Sequence, residues 1–300
     1  MKTVKSTLSY ERQKSSLFFV APLIVTLLII AGFPLLTTLY YAFTDAHLSD
    51  LSQAKFIGLG NYKKILSDSN WWSSVYNTFL FTLVSVLLET ILGIIIALAL
   101  NKHFRGRGLV RAIVFIPWAI PTIVSARLWG WMYHDVYGIL NEIVKFVGLT
   151  DHPLAWTASP NLVMISVIIV DVWKTTPIMT MMILAGLQLI PQECYEAAKI
   201  DGIHPVRVFF RVTLPLLKST LLVAMILRTL DALRVFDLIY VLTPNNSRTI
   251  SMSVYAHQNL FTFQETGIGS AAASLLFLIV LSITFIYLFV GKKMAAYESH

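Results

Sequence analysis

Eight charged side chains lie inside long apolar runs of this 300-residue chain, and they are the residues with chemistry to offer. Asp171 and Lys174 are three apart, so on a helix they share a face. Arg228, Asp231, Arg234 and Asp237 recur every three residues with alternating sign. Neighbours in that series pair along a helix while the stripe drifts slowly around it. Glu89 and Arg127 stand alone in their runs and read as inter-helix pairs. A charge at mid-membrane costs roughly 2.5–3.5 kcal/mol on insertion scales unless it is paired or lines a wet cavity. Two readings follow: an ion-pair network holding polar helices together, or the polar lining of a solute path. Arg234 and Asp237 read as structural or gate residues.

Catalytic constellations are missing. There is no G-x-x-x-x-G-K-[ST] stretch to cradle nucleotide phosphates, and the nearest string, Gly58 to Lys63, has the wrong spacing. No H-E-x-x-H pair and no H-x-E…C-x-x-C cluster occurs. The single cysteine, Cys194, excludes a disulfide framework and a thiolate metal cluster. Gly267 to Ala271 surrounds Ser270, but no histidine lies in any apolar run to activate it, and small residues there suit close helix packing. A transporter or channel fits better than an enzyme.

The elements that must position the charges are apolar spans. Apolar residues make up 56% of the chain and charged ones 13%, against roughly 25% charged in a soluble protein. A mean hydropathy of +0.71 excludes disorder as well. A spanning helix needs about 20 apolar residues. Six stretches qualify, at about 17–43, 75–100, 109–133, 161–190, 219–243 and 267–290. The fifth is the least marked, since hydropathy alone would end it after Leu230. The fold class is therefore an all-α polytopic membrane protein: a tail at 1–16, a transmembrane domain at 17–290 containing a loop at 191–218, and a tail at 291–300. The first run is too long for a signal-peptide core and reads as an uncleaved helix.

Of 23 Lys and Arg, 14 fall on one side: in the two tails and in the 101–111 and 191–218 loops. Five fall on the other. The positive-inside rule puts the basic side, with both termini, in the cytoplasm. The net charge of +7 is thus topological and makes no case for nucleic acid. Tyr40, Tyr41, Trp71, Trp72, Trp129, Trp131 and Tyr133 fall at outer span ends, where such rings form interfacial belts.

The 191–218 loop reads as two short amphipathic helices. Pro191 suits the first turn of one, and Glu193 and Glu196 lie near its positive end. Gly202 follows Asp201 where a left-handed cap is needed. Pro205 starts the second helix, with Val206, Phe209, Phe210 and Val212 as its apolar residues. A rigid protrusion of this kind looks built to be gripped by a partner.

The string Glu196-Ala197-Ala198, three residues, Gly202, nine residues, Val212, one residue, Leu214-Pro215 resembles the EAA loop of ABC importer membrane subunits. Val212 in place of isoleucine is the one departure. Phe56 to Tyr62, Ile116 to Pro121 and Asp171 to Pro177 are similar to carbohydrate permeases of the maltose/trehalose/glycerol-phosphate group, in the short six-helix form of the first permease. The resemblance runs from about residue 15 to 292. It implies a type I importer pore made with a second permease, an extracytoplasmic solute-binding protein that delivers sugar, and a cytoplasmic ATPase dimer. ATP and Mg would bind to the ATPase, with no cofactor on this chain. Coupling would fall to Glu196, Ala197, Ala198, Asp201, Gly202 and Pro215. Sugar contact would fall to Asp171, Lys174, Arg228 and Asp231, in the helices flanking the loop. The membrane would be the inner (cell) membrane of a bacterium or archaeon. The competing reading is an autonomous channel or secondary transporter, for which no internal repeat is visible.

Overall fold

A computed structural model of the chain describes residue 16 and residues 18–298. Lys2, Lys5, Arg12 and Lys14, and the side chains of Lys292 and Lys293, lie outside the described residues. In chain order the helices are α1 (Phe18–Ala42), α2 (Gly60–Ser67), α3 (Ser69–Asn101), α4 (Arg107–Ala119), α5 (Thr122–Met132) and α6 (Ile139–Phe146). They continue with α7 (Val163–Gln188), α8 (Gln192–Ile200), α9 (Pro205–Ala232), α10 (Asp237–Leu242), α11 (Met252–His257) and α12 (Thr266–Glu298). Among the described residues β structure is limited to two isolated bridges. Five helices, α1, α3, α7, α9 and α12, are long and apolar enough to cross a membrane, and α4 with α5, taken together as one bent span, is a sixth.

The chain divides into two compact units. In the first, which ends at Ser67 and resumes at Ala256–Leu275, the Asn61 amide donates to the carbonyls of Ala42 (3.0 Å) and Thr44 (2.7 Å). Ala42 is the last residue of α1 and Thr44 lies two residues past it, where no further helical turn can satisfy their carbonyls. Together with Ile57 N–H, which donates to the Phe43 carbonyl at 2.8 Å, Asn61 ties the Phe56 to Tyr62 segment to the C-terminal end of α1.

In the second unit, Asp68–Tyr255 with Leu276 onward, α3 and α7 pack along each other and α9 joins both. Asp68 caps α3 by accepting from the Asn70 N–H at 2.9 Å. One face of α3 is polar and buried: Ser74, Thr78, Thr82, Ser85 and Glu89, spaced three or four apart. Two apolar clusters flank the packed helices. One includes Phe81, Val167, Val170, Leu238 and Ile239. The other includes Ala97, Met179, Ile183, Leu187, Leu217 and Leu221.

Three departures from the sequence reading carry physical reasons. The third span is broken: α4 and α5 meet at 91°. Ile120 precedes Pro121, whose ring disfavours helical backbone in the residue before it, and Ile120 is accordingly extended (φ −75°, ψ 132°). The fifth span stops at Ala232 instead of 243, and Arg234 to Phe236 are not helical. The Val235 carbonyl released by that break accepts from the Ser251 hydroxyl at 2.8 Å. The second helix of the 191–218 loop is continuous with span five through a wide turn at Phe209–Thr213. That turn sits just before Pro215, which has no N–H to continue a regular helix. Trp71 and Tyr133 are also buried core residues rather than belt residues, whereas Tyr40, Trp72 and Trp131 are exposed.

Candidate functional site

Arg228 on α9 is the hub of the site. Its guanidinium forks onto Glu89 of α3, with Nε 2.5 Å from Oε2 and Nη2 3.0 Å from Oε1. Nη2 also donates to Asp171 of α7, and Nη1 donates to Asp231 at 3.2 Å. Three helices are thus pinned at one point. A guanidinium suits the task because its five N–H donors lie in a fixed plane that matches carboxylates two oxygens at a time. Thr175 holds the assembly from α7, its hydroxyl lying 2.6 Å from both Glu89 Oε1 and the Asp171 carbonyl.

Burial separates the members. Glu89 is fully buried, and Asp171 and Arg228 are nearly so. The Asp231 side chain is 71% exposed. Lys174 is buried and makes no ion pair among the described residues; its ammonium donates to the Ile120 carbonyl at 2.7 Å. That carbonyl is the one left open by the α4–α5 break, so the break and Lys174 satisfy each other.

A cavity of about 260 Å³ opens beside this network. Asp171, Lys174, Arg228 and Asp231 all line it, as do Arg234 and Asp237 from the non-helical stretch and the next helix. Trp118 and Thr122 reach it from either side of the α4–α5 break, and Phe236 adds a second ring. The arrangement offers a largely exposed carboxylate at Asp231, tied by one bond to Arg228, further exposed charges at Arg234 and Asp237, and aromatic walls. A solute rich in hydroxyls, which both donate and accept, matches such a lining.

The four residues singled out from the sequence come together here. Asp171 and Lys174 do not pair with each other; Asp171 pairs with Arg228. The alternating stripe survives only at Arg228–Asp231, because the helix ends before Arg234, whose Nε donates to the Leu230 carbonyl at 3.0 Å. Glu89 does form an inter-helix pair. Arg127 is exposed and forms no ion pair among the described residues. The sequence reading missed Trp118, Thr122, Thr175 and Phe236. The signal for the first two was Pro121, whose effect on Ile120 puts a break inside the third span.

The 191–218 corner is a separate site. Gly202 has φ +66°, and its N–H donates to the Lys199 carbonyl at 3.1 Å, while Ile203 N–H reaches the Ala198 carbonyl at 3.0 Å. These paired bonds end α8 in a Schellman motif, which needs the left-handed residue that glycine supplies without strain. His204 then caps α9, its Nδ1 accepting from Val206 N–H at 3.3 Å, and Pro205 takes the first helical position. Thr213 Oγ1 lies 3.3 Å from the Tyr195 hydroxyl and ties the two helices together. Glu196, Ala197, Asp201, Gly202 and Pro215 are exposed, and Ala198 is buried. Among the described residues no group of His, Cys, Asp and Glu could hold a metal ion.

Residues 89–296 match the family described as binding-protein-dependent transport system inner membrane component. The trehalose/maltose transport system permease protein MalF of Thermococcus litoralis is 46% identical over 289 residues, covering 96% of this chain and 97% of that protein. The sulfoquinovosyl glycerol transport system permease protein SmoG of Agrobacterium fabrum is 36% identical over 276 residues, covering 91% of this chain and 89% of that protein. Among solved structures, a chain of a bacterial alginate ABC transporter, in complex with an alginate pentasaccharide-bound periplasmic protein, superposes with a TM-score of 0.83 at 21% identity. That match covers 95% of this chain and 96% of the other, and it speaks to the fold.

Proposed function

The chain belongs to the family of binding-protein-dependent transport system inner membrane components, and from that premise we propose that it is one pore subunit of an ATP-driven sugar importer. The observation that carries the sugar assignment is the cavity beside Arg228, lined by exposed charges at Asp231, Arg234 and Asp237 and by aromatic rings. The relatives named for trehalose, maltose and sulfoquinovosyl glycerol transport support the same substrate class.

Within the cavity the roles divide by commitment. Arg228, Glu89 and Asp171 are engaged with one another and act as a scaffold. Asp231 and Asp237 accept sugar hydroxyls, Arg234 donates to them, and Lys174 presents its remaining N–H bonds. Trp118 offers an apolar face to the C–H side of a sugar ring. Weak, exchangeable contacts of this kind suit a path, since a solute must leave as readily as it enters.

The exposed Glu196–Gly202 corner is the coupling element. The Schellman motif and the Thr213–Tyr195 bond make it stiff, so force applied to it reaches α9 and Arg228 without dissipation in a loop. The partners are a second permease, an ATPase dimer carrying ATP and Mg, and an extracytoplasmic binding protein, with both termini of this chain in the cytoplasm. This chain itself carries no catalytic role.

The test is reconstitution into vesicles with the other permease, the ATPase and the binding protein, followed by uptake of radiolabelled trehalose and maltose. ATP-dependent, binding-protein-dependent uptake supports the proposal. Uptake by this chain alone would instead support an autonomous channel or secondary transporter.

A further inference from the structure

A second groove, of about 670 Å³, lies where the ends of α3, α4, α7 and α8 meet, on the side of the molecule that carries the 191–218 corner. Lys102, His103, Arg107 and Arg111 line it, with Leu98, Leu187 and Ile190 as apolar surface. No carboxylate lines it; Glu193, one residue beyond the lining Gln192, is exposed. Arg111 donates from Nη2 to the Leu100 carbonyl at 3.3 Å, yet its Nε is buried and has no hydrogen-bond partner. A buried donor without a partner is costly and rare, and it points to an acceptor that the chain does not itself supply.

Two helix N-termini face the same place. α4 starts at Arg107 and α8 at Gln192, and both residues line the groove. Arg107 N–H turns back to the Phe104 carbonyl at 3.4 Å and Cys194 N–H to the Pro191 carbonyl at 3.3 Å, and both macrodipoles put their positive ends at the groove. Cations, two positive helix ends and an orphan guanidinium nitrogen together define an anion site, and phosphate is the anion that suits them. The apolar surface decides between sources. It comes from the last turns of two spanning helices, so the groove is at headgroup level and far larger than a phosphate ion. Basic pockets between spanning helices at that level hold anionic headgroups. We propose that this groove binds the phosphate of one anionic phospholipid, with an acyl chain along Leu98, Leu187 and Ile190.

The experiment uses the full importer complex, purified and placed in nanodiscs of phosphatidylcholine with a minor share of phosphatidylglycerol, with retained lipid counted by native mass spectrometry. Wild type should retain phosphatidylglycerol in preference to phosphatidylcholine. One arginine at a membrane surface is worth roughly a fivefold change in affinity for an anionic lipid, and two are worth roughly thirtyfold. Arg107→Gln should therefore lower retention about fivefold, and Arg107→Gln with Arg111→Gln about thirtyfold. Arg105→Gln, exposed and outside the groove, should retain the wild-type amount. Should removal of Arg111 prevent assembly, the Arg107 variant still decides. Equal retention of both lipids by wild type, or an equal loss in the Arg105 variant, would overturn the site in favour of diffuse surface charge. Displacement of the lipid by millimolar inorganic phosphate would overturn the lipid assignment in favour of a free-phosphate site.

Discussion

Replacing Arg228 by methionine removes a buried cation and leaves Glu89 and Asp171 facing each other without it. Glu89 is fully buried and takes two of the guanidinium bonds, at 2.5 and 3.0 Å; Asp171 takes a third. Removing one partner of a buried ion pair typically costs about 3–5 kcal/mol, because the remaining charge stays buried without compensation. Glu89→Gln is milder, since Arg228 keeps Asp171 and Asp231; a lost bond to a charged group suggests about 1–3 kcal/mol. Asp231→Asn should cost about 0–1 kcal/mol, because that carboxylate is 71% exposed and its pair is screened. The expected order is therefore Arg228→Met, then Glu89→Gln, then Asp231→Asn. The assay is reversible unfolding of the purified chain in mixed micelles, titrated with sodium dodecyl sulfate and followed by tryptophan fluorescence. An Arg228→Met variant within about 1 kcal/mol of wild type would refute the reasoning, as would an Asp231→Asn variant as unstable as Glu89→Gln.

Asp231→Asn and Asp237→Asn should reduce sugar uptake roughly tenfold or more at normal complex yield, since each loses a charged acceptor worth about 1.5–3 kcal/mol; unchanged uptake in both would remove them from the path. Gly186→Ala should destabilise the α7–α9 packing by about 1–3 kcal/mol, because the added methyl would come within 2.7–2.8 Å of the Thr220 side chain; the same unfolding titration reads it. Gly202→Ala meets nothing within 4 Å, so it acts through its positive φ alone, at about 1–2 kcal/mol; ATP hydrolysis stimulated by liganded binding protein should fall while membrane insertion stays normal. For topology, a cysteine at the exposed Phe146 in a Cys194→Ser background should react with an impermeant reagent from outside, and one at Arg105 should not. Asn141 is unsuited to that probe because it is buried and holds Leu154 N–H at 3.0 Å and Trp156 Nε1 at 2.8 Å.

The sequence by itself determined the class of molecule. Apolar runs of spanning length, separated by charged loops, leave helices as the means of satisfying backbone groups in lipid. It also determined the corner at Glu196–Gly202, because a Schellman cap and a proline start are local chemistry, written in adjacent residues. Spacing alone further showed that span four and span five each carry charges that need company. What it did not determine is whose company. A period of three puts Asp171 beside Lys174 and Arg234 beside Asp231 on an ideal helix, but side chains choose partners across helices as well as along them. Glu89 is 139 positions from Arg228 in sequence, and their meeting depends on how α3 packs against α9. The helix assumption itself failed twice, at Ile120–Pro121 and after Ala232. There a break freed a carbonyl, and a distant side chain, Lys174 in one case and Ser251 in the other, took it up. Partner choice and helix breaks are settled by long-range packing and by the need to satisfy every buried polar group, and only the tertiary structure decides both.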